Sequence, residues 1–293
     1  MPLSGVLPRQ GDLLMRSPER WILGLCLLAI ALAGMSPQQA RPEEQVPASS
    51  AAPYSLGERL VYVVKWDPPW YLFFLPSMEA GEIDLQLAGE TEYKGQKAWK
   101  ILFHAHSSGT LLKMSGVKID NEYTFITEPE TFCSLNASKR TWEGKRKRKM
   151  DVEYLRAAGQ LHIREMDESV DPPRLKRDEI KNNIPSCVQD PFSAIYFLRR
   201  SDLRPKHEQT FVIGYDDRIK EIRTHVEKQE SVVTPMGKSA AWNIRTVALM
   251  GGLFKEGGQF RIWLSADQRK IPLQFEVKVS LGKVVGKLKS VQN

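Results

Sequence analysis

The stretch SKRTWEGKRKRKMDVEYLRAAGQLHIREM, residues Ser138–Met166, decides the fold class, because apolar and polar residues alternate along much of it. Within Met150–Tyr154 every second residue is apolar and the residues between them are acidic. A period of two is typical of a strand with one buried face. Glu143-Gly144 and Ala158-Gly159 interrupt the alternation with residues that favour hairpin turns. The stretch therefore predicts three consecutive antiparallel strands.

The same alternation continues on both sides of this stretch, from Gly57 almost to the last residue. A polar stretch around Pro172 and Pro173 breaks it, and no strand is predicted there. The predicted strands are Leu60–Val64, Gly81–Leu87, Ala98–His106, Val117–Ile126, Thr131–Leu135, Ser138–Trp142, Lys145–Leu155, Gln160–Met166, Thr210–Tyr215, Ile219–Lys228, Ser231–Thr234, Ala240–Leu249, Gln259–Ser265, Lys270–Val279 and Gly282–Val291. We therefore predict a mainly β domain, folded as a single antiparallel sheet that is barrel-like or strongly curled.

One segment, VQDPFSAIYFLRR at Val188–Arg200, departs from this pattern and predicts a short helix. Asp190 can cap the first turn, and Pro191 suits the first helical position because its missing amide hydrogen costs nothing there. Apolar residues form a broad side of this helix. We expect the helix to pack across one face of the sheet, where it either fills the core or covers an internal cavity.

An apolar run near the N-terminus, WILGLCLLAIALA at Trp21–Ala33, is typical of an export signal. It is shorter than the roughly 20 apolar residues that span a bilayer. We predict a signal peptide at residues 1–33, with an uncleaved membrane anchor as the alternative. Residues 34–53 predict a disordered linker, because the segment is rich in Pro, Ala, Ser and Gln. A β domain at residues 54–293 then remains outside the cytoplasm.

The predicted signal cleavage decides which cysteines remain in the exported protein. Cleavage after Ala33 removes Cys26 and leaves Cys133 and Cys187 as the only thiols. An oxidising compartment favours one disulfide between them. Two buried thiols that lie far apart are the alternative, because a bridge requires Cα atoms about 4.4–6.8 Å apart.

Several motifs in fixed order resemble a known family. They are GERLVYVVKW at Gly57–Trp66, AGEIDLQL at Ala80–Leu87, DNEYTF at Asp120–Phe125, DPFSAIYFLRR at Asp190–Arg200 and FRIWLSADQRKIPLQFEVKVSLGKVVGKL at Phe260–Leu288. The chain resembles the bacterial exported family catalogued as domain of unknown function 3108. The resemblance implies a Gram-negative envelope protein, in the periplasm or anchored to the inner membrane, with an antiparallel barrel-like fold. It implies no reaction and no catalytic residue.

The chain departs from the family pattern in the segment WDPPWYLFFLPSM, which begins at Trp66 and replaces a short connection. Its aromatic residues are Trp66, Trp70, Tyr71, Phe73 and Phe74. Such a cluster can enter a membrane interface or line a lipid pocket. The alternative is that the segment folds back and closes one end of the barrel.

The second candidate site is the basic stretch KRTWEGKRKRK at Lys139–Lys149. Its candidate ligand-binding residues are Lys145, Arg146, Lys147, Arg148 and Lys149. On a strand these cations point alternately to both faces, so neither face here can belong to a packed core. We expect the hairpin tip to project into solvent or toward phosphates of a lipid or lipopolysaccharide, or an acidic glycan. Export argues against nucleic acid as a partner, although the charge would suit it.

Metal and catalytic motifs are weak. His104 and His106 share one face of a predicted strand, but a metal site needs further ligands. Asp120, Glu122 and His162 are the only candidates to complete it, and none has a ligand-like spacing, so we predict no metal and no cofactor. The sequence has no G-x-S-x-G elbow, no glycine-rich phosphate loop and no C-x-x-C pair. We predict no catalytic residue.

These features favour a non-catalytic envelope protein that binds an amphipathic or anionic ligand, either a lipid or a glycan. The barrel interior would take the apolar part of the ligand and the basic hairpin its charge. A membrane surface is a further expected contact. The alternatives are a structural or assembly partner of an outer-membrane or polysaccharide machine, and a hydrolase with dispersed active-site residues.

Overall fold

The computed structural model of the protein describes residues 52–247, 259–279 and 281–293. The predicted signal peptide at residues 1–33, Cys26 within it, and residues 34–51 of the predicted linker lie outside the described residues. None of the described helices is both long enough and apolar enough to cross a membrane.

The described residues form one 14-stranded antiparallel sheet and two short helices. The strands are β1 (Arg59–Asp67), β2 (Met78–Tyr93), β3 (Gln96–Ser107), β4 (Ile119–Thr127), β5 (Ser134–Glu143), β6 (Arg146–Leu155), β7 (Gln160–Asp167), β8 (Arg174–Asn182), β9 (Glu208–Tyr215), β10 (Arg218–Thr234), β11 (Gly237–Val247), β12 (Gln259–Ser265), β13 (Pro272–Lys278) and β14 (Lys283–Gln292), and the helices are α1 (Gly109–Ser115) and α2 (Pro191–Arg200). The predicted single antiparallel sheet with a short helix across it is confirmed, and the sheet does not close.

The order of the strands divides the sheet into two meanders. The order is β8-β7-β6-β5-β4-β3-β2-β1-β14-β13-β12-β11-β10-β9, so sequence neighbours pair everywhere except where β1 meets β14. That pair runs from Arg59 opposite Gln292 to Asp67 opposite Lys283. β8 and β9 are left as the two edges of the sheet.

The sequence missed one strand and one helix, and it placed the start of another strand wrongly. No strand was predicted at Arg174–Asn182, yet this polar segment forms the edge strand β8. An edge strand pairs with a neighbour on one side only, and no residue of β8 is buried. Polar residues can therefore occupy both of its faces, and the alternation that predicts a strand is missing. The predicted strand Thr131–Leu135 begins only at Ser134, because Phe132 has a positive φ of 56°. Helix α1 was not predicted.

The gap between the two edges is filled by the segment before α2. The backbone amide of Gln189 donates to the carbonyl of Val212 on β9, at 2.8 Å, and the amide of Ser134 donates to the carbonyl of Val188, at 2.7 Å. Lys181 of β8 reaches across to Asp217, with Nζ 3.0 Å from Oδ2. The edges are therefore joined by a connecting segment and ion pairs instead of a strand ladder.

Helix α2 lies across the sheet and starts where the sequence predicts. The buried Asp190 caps it, because its Oδ1 accepts hydrogen bonds from the amides of Phe192 and Ser193, both at 2.9 Å. Burial raises the pKa of Asp190, while these hydrogen bonds oppose the rise. Tyr196 stacks on Phe132, with ring centroids 6.1 Å apart, and is fully buried. The helix thereby fills much of the larger core.

A buried ion pair anchors the end of α2. The side chains of Arg199 and Glu58 are both fully buried, and Arg199 Nη2 donates to Glu58 Oε2 at 3.0 Å. The same Nη2 donates to the carbonyls of Pro53 and Arg269, at 2.8 and 3.1 Å. One guanidinium thus joins the helix, the start of the domain and the β12–β13 turn.

The two remaining cysteines lie close together. Cys133 and Cys187 form a disulfide with their Cα atoms 5.1 Å apart, and 54 positions separate them in sequence. The bridge connects the start of β5 to the segment that leads into α2.

Replacing Arg199 by Met should lower the free energy of unfolding by about 3–5 kcal/mol, because it removes the buried partner of the Glu58 carboxylate and leaves that buried charge only the longer contact with Arg269, at 3.3 Å. Urea unfolding followed by circular dichroism measures this change. The control is Lys228→Met, which removes an exposed pair with Glu230 and should cost less than about 1 kcal/mol. Equal losses in the two variants would contradict the anchoring role.

Reduction of the disulfide should lower stability by about 4 kcal/mol in the chain-entropy account, given the length of the closed loop. The measurement is urea unfolding with and without dithiothreitol. The double variant Cys133→Ser, Cys187→Ser should be insensitive to the reductant. Failure of non-reducing peptide mapping to recover linked Cys133 and Cys187 peptides would refute the bridge.

Candidate functional site

The aromatic segment forms the loop between β1 and β2 and projects from one end of the sheet. Four of its rings are exposed: Trp70 by 87%, Phe73 by 87%, Phe74 by 67% and Tyr71 by 52%. They pack edge to face in pairs, with centroids 5.9 Å apart for Trp70 and Tyr71 and 6.0 Å for Phe73 and Phe74. The loop therefore presents these rings to solvent and does not bury them as a plug of the sheet interior.

Trp66 has a different role from the other four aromatics. It is half-buried at the base of the loop, and its Nε1 donates to the carbonyl of Leu281 at 2.7 Å. The next residue, Gly282, has a φ of +82°, and a Cβ there would lie 2.1 Å from the carbonyl oxygen of Asp67. This contact requires glycine and holds the β13–β14 turn against the aromatic loop.

Further loops join the aromatic loop at the same end. The loops after β1, β3, β5, β7 and β13 all emerge there, because consecutive antiparallel strands reverse direction. The amide of Ser108 donates to the carbonyl of Ala80 at 3.1 Å, and the amide of Gly144 donates to that of Lys118 at 2.7 Å. We call this contiguous set the loop arc: residues 68–77, 108–118, 144–145 and 168–173, with Leu281 and Gly282.

Exposed apolar side chains are concentrated in the loop arc. Most of the large hydrophobic side chains that are exposed in the described part of the chain belong to it, namely Trp70, Tyr71, Phe73, Phe74, Met114, Val117, Val170 and Leu281. A concentration of exposed apolar side chains at one end of a fold is typical of a contact with a protein, a ligand or a membrane. Sequence reasoning found the aromatic residues but missed Met114, Val117, Val170 and Leu281, because single apolar residues in loops carry no periodic signal.

The basic hairpin lies within and beside the loop arc, and its cations without an acidic partner among the described residues lie at and next to its tip. Lys145 and Arg146 are exposed, and neither has an ion-pair partner within the described ranges. Lys147 lies over the Trp142 ring at 4.1 Å. Arg148 pairs with Glu165 at 3.0 Å, and Lys149 pairs with Asp151 at 3.4 Å. The five predicted cations are thus adjacent in sequence but differ in their availability to a ligand.

Lys139, the first cation of the same stretch, is buried inside the sheet. Its Nζ donates to Asp216 Oδ1 at 2.7 Å and lies 3.7 Å from the centroid of the Tyr215 ring. Burial lowers the pKa of Lys139, and the Asp216 carboxylate opposes that shift. The pair compensates its own charge and offers none to a ligand. Its position links β5 to the β9–β10 turn.

An apolar cavity of about 100 Å³ lies between α2 and strands β9–β12. Its lining includes Ile195, Leu198, Phe211, Ile222, Ile244 and Ile262. None of the predicted site residues lines it. The sequence offered a helix over an internal cavity as one alternative, but an apolar helix side has the same pattern over a cavity as over a filled core.

Comparison with known proteins gives a family and a fold. The family model described as "Protein of unknown function (DUF3108)" matches residues 61–289. No match is found among the curated proteins. A crystal structure described as a beta-barrel-like protein of domain of unknown function DUF1849, from Brucella abortus, is similar with a TM-score of 0.53 and 13% identity. The alignment covers 81% of this chain and 97% of that one, and at this identity it supports the fold alone.

Proposed function

The chain belongs to the DUF3108 family, which supplies no activity, and from this premise we propose that the protein is a non-catalytic binder of anionic amphipathic lipid. The observation that carries the proposal is the concentration of exposed aromatic and aliphatic side chains in the loop arc. The occupant we assign to this surface is an anionic lipid layer of the cell envelope.

The apolar part of the loop arc favours an interface between water and hydrocarbon. Trp and Tyr rings have an apolar body and a polar edge, and they are enriched at the headgroup level of membranes. Phe73 and Phe74 have no polar atoms and are largely exposed to solvent. Removing one such side chain from water contributes about 1.5–3 kcal/mol. Shallow insertion of the loop would therefore supply the main part of the binding free energy.

The charged part of the loop arc favours anionic headgroups over neutral ones. Lys145 and Arg146 are exposed at the hairpin tip, and Lys113 is exposed on α1. Basic residues close to an anionic surface contribute roughly 1 kcal/mol each, and salt screens that contribution. The overall formal charge of +7 adds to the attraction. The export signal predicted at Trp21–Ala33 supports a membrane of the cell envelope as the lipid surface that the protein binds.

Carriage of a single alkyl chain is a second candidate function, favoured by the cavity under α2. The cavity has a volume of about 100 Å³ and an almost wholly apolar lining. Apolar cavities of roughly 150 Å³ stay dry and bind benzene, so this one has room for a short alkyl segment. Docking at the loop arc and burial of a chain under α2 are separable, because no residue lines both.

The triple variant Trp70→Ala, Phe73→Ala, Phe74→Ala should lose at least tenfold in affinity for vesicles of phosphatidylcholine and phosphatidylglycerol, measured by flotation. The reason is the loss of three exposed aromatic side chains, each contributing about 1.5–3 kcal/mol when buried. Lys145→Gln with Arg146→Gln should weaken binding to these vesicles and leave binding to pure phosphatidylcholine unchanged.

The matched control for flotation is Val233→Ala with Met236→Ala, which removes exposed apolar side chains from the opposite end of the sheet. It should float like the wild type. The lipid-surface proposal is wrong if the wild type stays at the bottom of the gradient, or if the control variant loses as much as the aromatic variant.

Replacing Ala194 by Phe should abolish binding of 1-hexanol, measured by calorimetry, because the new ring occupies the cavity under α2. Vesicle flotation of this variant should be unchanged. Ala158→Phe adds the same ring at an exposed position of the single helical turn Arg156–Ala158 and should bind 1-hexanol normally. A wild-type protein that takes up no hexanol would remove the carriage function and leave surface docking intact.

A further inference from the structure

Four potential metal ligands share the outer face of β3 and β4. His104 lies opposite Glu122, and His106 lies opposite Asp120, in the register of this antiparallel pair. The two imidazole rings are neighbours along β3, with centroids 5.3 Å apart. Cross-strand partners on one face have Cβ atoms about 4.5–5.5 Å apart, which is close enough for both pairs to share one ion.

Three of these side chains already converge. His104 Nε2 and Asp120 Oδ1 are 2.8 Å apart. Ligand atoms of His104, Asp120 and Glu122 all lie within 4.8 Å of one another. Zinc holds nitrogen and oxygen ligands at about 2.0–2.2 Å, so the three groups move closer together when they share one ion.

Two of the four groups have no partner within the described parts of the chain. His106 Nδ1 is buried from solvent and makes no hydrogen bond there. Glu122 forms no ion pair or hydrogen bond with the described residues. An unpaired polar atom shielded from water is costly, so the free imidazole nitrogen points to a missing partner.

The neighbouring carboxylates on β2 form ion pairs with basic side chains and not with the histidines. Asp84, opposite His104, pairs with Arg59 at 2.9 Å, and Glu82, opposite His106, pairs with Lys289 at 2.5 Å. These ion pairs separate Asp84 and Glu82 from the histidines. Lys118 approaches Asp120, with Nζ 3.6 Å from Oδ2, and among the described residues no other lysine or arginine pairs with the four groups. It occupies part of the space that an ion would take.

We propose that His104, Asp120 and Glu122 bind a zinc-class divalent cation, with His106 as the fourth ligand. Two imidazoles with two carboxylates suit zinc and related transition metals, whereas calcium and magnesium prefer oxygen ligands alone. Binding displaces Lys118 from Asp120. The site lies on the outer sheet face and is independent of the lipid-surface proposal.

The test is calorimetric titration of Zn²⁺ into metal-stripped protein that carries no histidine tag. The wild type should bind one equivalent, and His104→Ala and Glu122→Gln should each weaken binding at least tenfold. Lys118→Gln should tighten binding, because it removes the competing cation from Asp120. A purely structural role for His104 would not produce this gain.

The matched control is His162→Ala, which removes an equally exposed histidine that pairs with Asp178 at 2.6 Å on β7 and β8. In the described residues this pair gathers no third ligand. His162→Ala should leave Zn²⁺ binding unchanged. The proposal is overturned if the wild type shows no saturable binding, or if His162→Ala weakens binding as much as His104→Ala does.

Discussion

The pairing of β1 with β14 is the contact on which the rest of the structure depends. All other strand pairs join neighbours in sequence, so each could form within a local hairpin. β1 and β14 instead bring together the two ends of the domain, with Leu60 opposite Val291. Closing such a long loop costs chain entropy, which the two meanders repay only after they form one continuous sheet. The contact of Trp66 with Leu281 exists only because of this pairing.

The two ends of the sheet have different roles as a result. The end opposite the loop arc holds the Arg199–Glu58 pair, the disulfide and the capped start of α2. Those interactions fix the helix and the edges of the sheet without help from the loop arc. The loops at the other end can then carry exposed rings that add nothing to the core. The same fourteen strands therefore carry one end that is tied by buried and covalent contacts and one end whose loops expose apolar rings.

The sequence predicts the fold well because alternation reports which face of a strand is buried. It fails at β8, where neither face is buried and Arg174–Asn182 reads as a polar linker. It also splits β10 at residues 229 and 230, although the strand is continuous from Arg218 to Thr234. Both errors concern long or marginal strands in which tertiary pairing, and not the local pattern, sets the boundary.

The candidate sites were less predictable, because their chemistry depends on which cations and rings find partners. The sequence singles out Lys139–Lys149 as one basic stretch, but the sheet separates its members by face and depth. Lys139 is compensated by Asp216 and Arg148 by Glu165, whereas the described residues hold no acidic partner for Lys145 and Arg146. Partners such as Asp216 lie far away in sequence and are unknowable from spacing. The cations of the stretch that lack an acidic partner in the described residues therefore lie at and next to its tip, at the same end of the sheet as the exposed aromatic loop.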